Sequence, residues 1–129
     1  MWIFAVIIVL VFLFFFYLAW RRIQGGRKLS GGSAKRYLQV WQDISRFPDL
    51  HRRIMEADKL IDAVFKELGY EGSFADKLRK IEARFSYKQQ IWDAHILRNR
   101  IAHEMYVQLD EREVGRAMAV FERVLKDLC

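Results

Sequence analysis

Apolar residues along this chain follow two different patterns. From Trp2 to Trp20 they are continuous, nineteen residues without a charge, Gly, Pro, Ser or Asn. Beyond residue 36 they recur every third or fourth position, the rhythm of helices with one face turned to a core. No run alternates with period two for long enough to suggest a strand.

The continuous run, helical at 1.5 Å per residue, would span roughly 29 Å, the thickness of a bilayer's hydrocarbon core. Trp2, Tyr17 and Trp20 lie at its two ends, where amphipathic aromatics favour the interface. A cleaved signal peptide is the competing reading. Against it, no basic stretch precedes the run, the run exceeds an ordinary signal core, and no small-x-small site comes before Arg21-Arg22. Residues 1–20 are therefore expected to form an uncleaved transmembrane helix with the lipid bilayer as its partner. The positive-inside rule then puts the N-terminus outside and residues 21–129 in the cytoplasm of a single-pass protein of the cell membrane.

Residues 21–36 read as a basic, Gly/Ser-rich juxtamembrane linker. They carry Arg21, Arg22, Arg27, Lys28, Lys35 and Arg36 and no acid, and residues 23–33 hold four glycines and two serines. The bases can rest on anionic head groups, or serve only to fix topology in a solvated tether.

Five helices are expected after it. The first runs from Ala34 to about Ser45, with Tyr37, Leu38, Trp41 and Ile44 on one side, and Pro48 ends it. The second runs from about Asp49 to Leu68 on the stripe Leu50, Ile54, Ala57, Ile61, Val64, Phe65 and Leu68, with Gly69 as C-cap. Ser73 opens a short third helix carrying Phe74, Leu78 and Ile81, with Asp76 at the capping-box position. Ser86 and Gln89 suggest a capping box for the fourth, about Tyr87 to His103. Acids at 110–113 open the fifth, about Glu111 to Lys126. The fold class is all-α: an N-terminal transmembrane helix plus a four- to five-helix bundle over residues 37–129.

Composition sharpens this picture at two points. Cys129 is the single cysteine, which excludes a disulfide framework or cysteine-based zinc site within one chain and suits a reducing compartment. The net charge of +6 suggests nucleic acid until it is located. Six of the 22 basic residues lie in the linker, so residues 37–129 set sixteen bases against all sixteen acids. The charge excess belongs beside the membrane and gives no basic groove.

Candidate chemistry concentrates in Leu97-Arg98-Asn99-Arg100-Ile101-Ala102-His103-Glu104, at the end of the fourth helix. At 100° per residue, Arg98 falls inside the apolar arc of Ile91, Ala94, Leu97, Ile101, Ala102 and Met105. An arginine there must snorkel, occupy a cleft, or pair with a carboxylate, with Glu56 or Asp58 as the available acids. Trp92 and Ile96 form a second apolar patch, leaving Asp93, Arg100 and Glu104 on a solvated face. A helix apolar on two sides points to a partner, and a homodimer is expected. His95, Asn99 and His103 share a third stripe, but the two histidines would stand about 12 Å apart along the axis and cannot ligate one ion. No metal and no cofactor is expected. Asn99 and His103, one turn apart, can touch, and the amide could fix the ring's tautomer.

Arg98-Asn99-x-x-x-His103, with the preceding amphipathic helix bearing Glu56-Ala-Asp-Lys59 and the closing helix from Asp110, resembles the Arg-x4–6-His signature of the HEPN superfamily. The resemblance covers about residues 50–128. It implies a helical bundle that dimerises through its signature and, in active members, a metal-independent endoribonuclease. His103 would then be the general acid/base on the 2′-hydroxyl or leaving oxygen, and Arg98 would stabilise the phosphorane. Asn99 would orient His103 or the scissile phosphate, and the product would be a 2′,3′-cyclic phosphate. His95, Arg100 and Glu104 are the flanking binding candidates, with Arg100 and Glu104 alternatively plain surface charges. His103 could equally be a C-terminal residue favoured by the helix dipole. The leading expectation is a bacterial, membrane-tethered ribonuclease of stress or defence type, with RNA as substrate and a nucleotidyltransferase-like antitoxin as partner. The alternative is a non-catalytic module holding a protein or nucleic acid at the membrane.

Overall fold

A computed structural model of the chain describes residues 1–24 and 26–129, with side chains described outside 21–25. All regular structure among these residues is helical: α1 (Trp2–Gln24), α2 (Gly31–Ser45), α3 (Leu50–Glu67), α4 (Phe74–Ile81), a 3-10 turn (Glu82–Arg84), α5 (Lys88–His103) and α6 (Glu111–Leu128). Within α1, Trp2–Trp20 is long and apolar enough to cross a membrane, and none of it is buried by the rest of the chain.

The bundle is built on α3 and α6. Each carries an apolar stripe, interrupted in α3 by Asp58, and α3 also packs against α2, α4 and α5. Ile54, Ile61, Val64 and Phe65 of α3 meet Val114, Phe121, Val124 and Leu125 of α6, all at most 1% exposed. Burial of this kind supplies most of the driving force for helices too short to persist alone. The helix starts follow local chemistry. Asp49 and Asp110 cap α3 and α6 through their carboxylates. Ser73 and Asp76 close a complete capping box on α4, and the amide and hydroxyl of Ser73 hold the Asp76 carboxyl below its usual range.

Two local expectations change. The Ser86–Gln89 box does not form: α5 starts one residue later, at the N-cap Tyr87, which makes no capping bond. Burial decides the start instead, since Tyr87 is 6% exposed and its hydroxyl donates to Asp127 at 2.5 Å. Desolvation first, then that carboxylate, push the phenol well above its ordinary value. Gln89 donates to Asp93 of the next turn.

The second change concerns the linker. Residues 31–33, expected to be linker ahead of a helix from Ala34, already belong to α2, which Ser30 caps. Before them Leu29 is buried, and its amide donates to the Leu128 carbonyl at 2.8 Å. Arg84 donates to the Arg27 carbonyl at 3.1 Å, and Ser33 to Glu67 at 2.6 Å. Glycine-rich composition signals flexibility, but one apolar side chain with a core gap to fill, followed by a capping serine, is enough to dock the segment.

Gly115 lies in the second turn of α6, exposed, with open space where a Cβ would stand. Gly115→Ala is expected to raise bundle stability by about 0.5–1 kcal/mol, since alanine loses less backbone freedom on folding. Chemical denaturation of the full chain in micelles checks this; destabilisation would mean that something packs closely on that face.

Candidate functional site

The cleft is assembled from three helices. Asp58 of α3 occupies a core position, between Ile54 and Ile61 on the apolar stripe, and is 4% exposed. A carboxylate there needs partners, and α5 supplies them. His95 Nδ1 lies 2.9 Å from Asp58 Oδ1. Arg98 Nε lies 3.4 Å from Asp58 Oδ2, within ion-pair range but without a hydrogen bond. Arg98 Nη1 donates to Asn99 Oδ1 at 3.2 Å, and Asn99 Nδ2 stands 3.3 Å from His95 Nε2. The four side chains form a closed ring.

The donor sense of that ring is determined by its charged members. Arg98 can only donate, so the oxygen of the Asn99 amide must face it and the amide nitrogen must face His95. Asp58 accepts from Nδ1–H, and Nε2 accepts from Asn99. That arrangement places a proton on His95 Nδ1, facing Asp58. Both its nitrogens are committed, which leaves it no lone pair or proton to offer a ligand.

Phe74, at the start of α4, stacks on the imidazole with centroids 4.2 Å apart and planes 13° apart. Phe65 backs Phe74 at 5.5 Å, and Trp92 meets the ring edge-on. Behind the lining residue Asp62, Lys77 is 4% exposed and pairs with it at 2.7 Å. The resulting cleft has a volume of about 560 Å³ and is lined chiefly by Glu56, Lys59, Asp62, Phe74, Arg98 and Asn99. With Asp58, its acids outnumber its bases. It can take a group that hydrogen-bonds to the exposed part of Arg98, but it does not draw in a polyanion.

The structure thus brings together Arg98, Asn99 and His95 among the residues singled out in sequence. His103, Arg100 and Glu104 lie elsewhere. His103 is the last residue of α5, exposed, and among the described residues its ring makes no hydrogen bond. Asn99 contacts His95, one turn back, and so does not orient His103. Arg100 is only partly exposed and ties α5 to α6 by donating to Glu113 at 3.1 Å, where free solvation was expected. The Glu104 amide closes the helix on the Arg100 carbonyl. Of the two acids proposed for Arg98, Asp58 is the one it faces.

Phe74 and the Lys77–Asp62 pair were not legible as parts of a site. A signal for Asp58 did exist, since a charge replaces an apolar residue on the α3 stripe. Among the described residues no three His, Cys, Asp or Glu side chains converge as metal ligands. No family model matches the chain, nor does any curated protein or solved structure compared with it.

Proposed function

We propose that this protein is a membrane-anchored, HEPN-like interaction module whose signature end docks a protein partner, in the first instance a second copy of itself. The observation that carries this reading is the division of labour on α5. Arg98, Asn99 and His95 are spent on one another and on Asp58, while elsewhere on α5 and just past its end apolar groups stand unpartnered: Ile96 is 53% exposed, Met105 87% and Tyr106 90%. An exposed aromatic and an exposed methionine are what protein interfaces favour. In this reading α1 spans the bilayer once, with its N-terminus outside and the bundle in the cytoplasm.

A second reading, the metal-independent endoribonuclease, is favoured by one specific observation. His103 is exposed and unbonded, one turn beyond Asn99, and an imidazole in that state is available for proton transfer. Arg98 also folds toward Asn99, which reduces the divergence that separates it from His103 on the helix wheel. RNA would be the substrate and a nucleotidyltransferase-like antitoxin the natural restraint.

One preparation tests both. The full chain in micelles is expected to sediment as a dimer at micromolar concentration, with Met105→Asp and Tyr106→Asp shifting it to monomer; a wild-type monomer would sink the first reading. The same sample, incubated with structured and unstructured RNA in EDTA, is expected to leave it intact. Cleavage that His103→Ala abolishes would instead establish the enzyme.

A further inference from the structure

Residues 26–29 and the elements they touch define one end of the bundle. Leu29 is bonded to Leu128 at the close of α6, Arg84 to Arg27, and Ser33 to Glu67 at the close of α3. Tyr87, at the start of α5, joins Asp127 at the same end. At the opposite end, His51 meets the Val107 carbonyl and Arg100 meets Glu113. The sixteen residues of α5 run from the first end to the second, about 24 Å. Arg98 stands about 16 Å along that path and His103 at its far limit.

At the first end Glu67 pairs with Arg36 and Asp127 accepts from Tyr87, but three further cations stand apart from these acids. Gly26 has φ +56°, a left-handed conformation, and a Cβ there would overlap the Arg84 guanidinium. The chain is thus laid directly on Arg84, which brings a third cation beside Arg27 and Lys28. Among the described residues none of the three has an acid within ion-pair distance, and residues 21–36 contain no acid at all. Exposed cations gathered without a counter-charge from the protein are free to be matched by anionic lipid, at about 1 kcal/mol each.

Chain length identifies the source. Trp20 ends the apolar run, and α1 continues four residues to Gln24, about 6 Å. Five more residues reach Leu29, at most roughly 17 Å when extended. The docked neck therefore lies within roughly 23 Å of the hydrocarbon edge, and Arg27 and Lys28 lie closer still. Resting on the membrane reading of α1, we propose that the Arg27–Lys28–Arg84 face docks on anionic phospholipid head groups. The bundle stands upright on this neck, with the signature end held away from the bilayer.

The single cysteine provides the probe, since Cys129 adjoins Leu128 at the neck. The full chain is reconstituted in vesicles of phosphatidylcholine with phosphatidylglycerol and labelled with a fluorophore at Cys129. A second sample carries it at Gln108→Cys in a Cys129→Ser background. Lipids nitroxide-labelled in the head group should quench the Cys129 probe strongly and the residue-108 probe weakly.

Arg27→Gln with Lys28→Gln leaves Leu29 and Arg84 in place. It should lower the docked-to-undocked ratio about thirtyfold, equivalent to about 2 kcal/mol at 1.4 kcal/mol per factor of ten. High salt should act in the same direction on the unmutated chain. If alkaline carbonate strips the chain from the vesicles, the membrane reading falls and the proposal with it. If the chain stays integral but both probes quench equally, or quenching ignores lipid charge, the proposal alone is overturned.

Discussion

Asp58→Ala is expected to cost the bundle about 3 kcal/mol, a melting temperature lower by roughly 15 °C for a domain of this size. The substitution removes the only acid in the ring. The His95 Nδ1–H is then left facing a cavity in a part of the core where Asp58 is 4% and His95 9% exposed. An orphaned buried donor loses the whole of its former solvation. Arg98 would also lose its counter-charge, but its side chain is 31% exposed, so water recovers much of that loss. Asp58→Asn separates the contributions. The amide can still accept from His95, so about half the loss should return. Near-UV circular dichroism of the full chain in micelles, where Trp41 and Trp92 report packing, measures both. A loss below about 1 kcal/mol for Asp58→Ala would mean that the ring is open in solution.

Phe74→Ala should be comparably severe, about 3–4 kcal/mol. Phe74 is 7% exposed, stacked on His95 and tilted against Phe65, so truncation empties the middle of a three-ring cluster. It would also enlarge the cleft and unpin His95 from above. Phe74→Leu fills most of the space without the stacking and should cost about a third as much. The imidazole protons give an independent reading, because the face of Phe74 shields them. Their resonances should move downfield in both variants. Stability lost without that movement would place Phe74 in the core but off the ring.

How much of this was legible in the sequence depends on the kind of signal. The boundaries of α3 and α6 follow from periodicity and capping residues to within about two positions, because those cues are local. The α1 run and the position of Arg98 on an apolar arc were equally plain. The α5 start was placed within one position, but its cap was misread because Ser86 offers one, while the burial of Tyr87 against α6 is a long-range fact. The neck was misread for the same reason: nothing near Leu29 in sequence announces that α6 will end beside it. Asn99 could be placed between two histidines one turn either way, and only the α3 carboxylate, which fixes His95, decides which one it serves.

The Leu29–Leu128 bond has a consequence for synthesis. It joins the first buried residue of the bundle to the last, so it cannot form until α6 has left the ribosome. The core pairing of α3 with α6 waits for the same moment. If α1 enters the bilayer as it emerges, the remaining helices are made on an anchored but unclosed chain, close to head groups throughout. At about 5–20 residues per second that interval lasts several seconds.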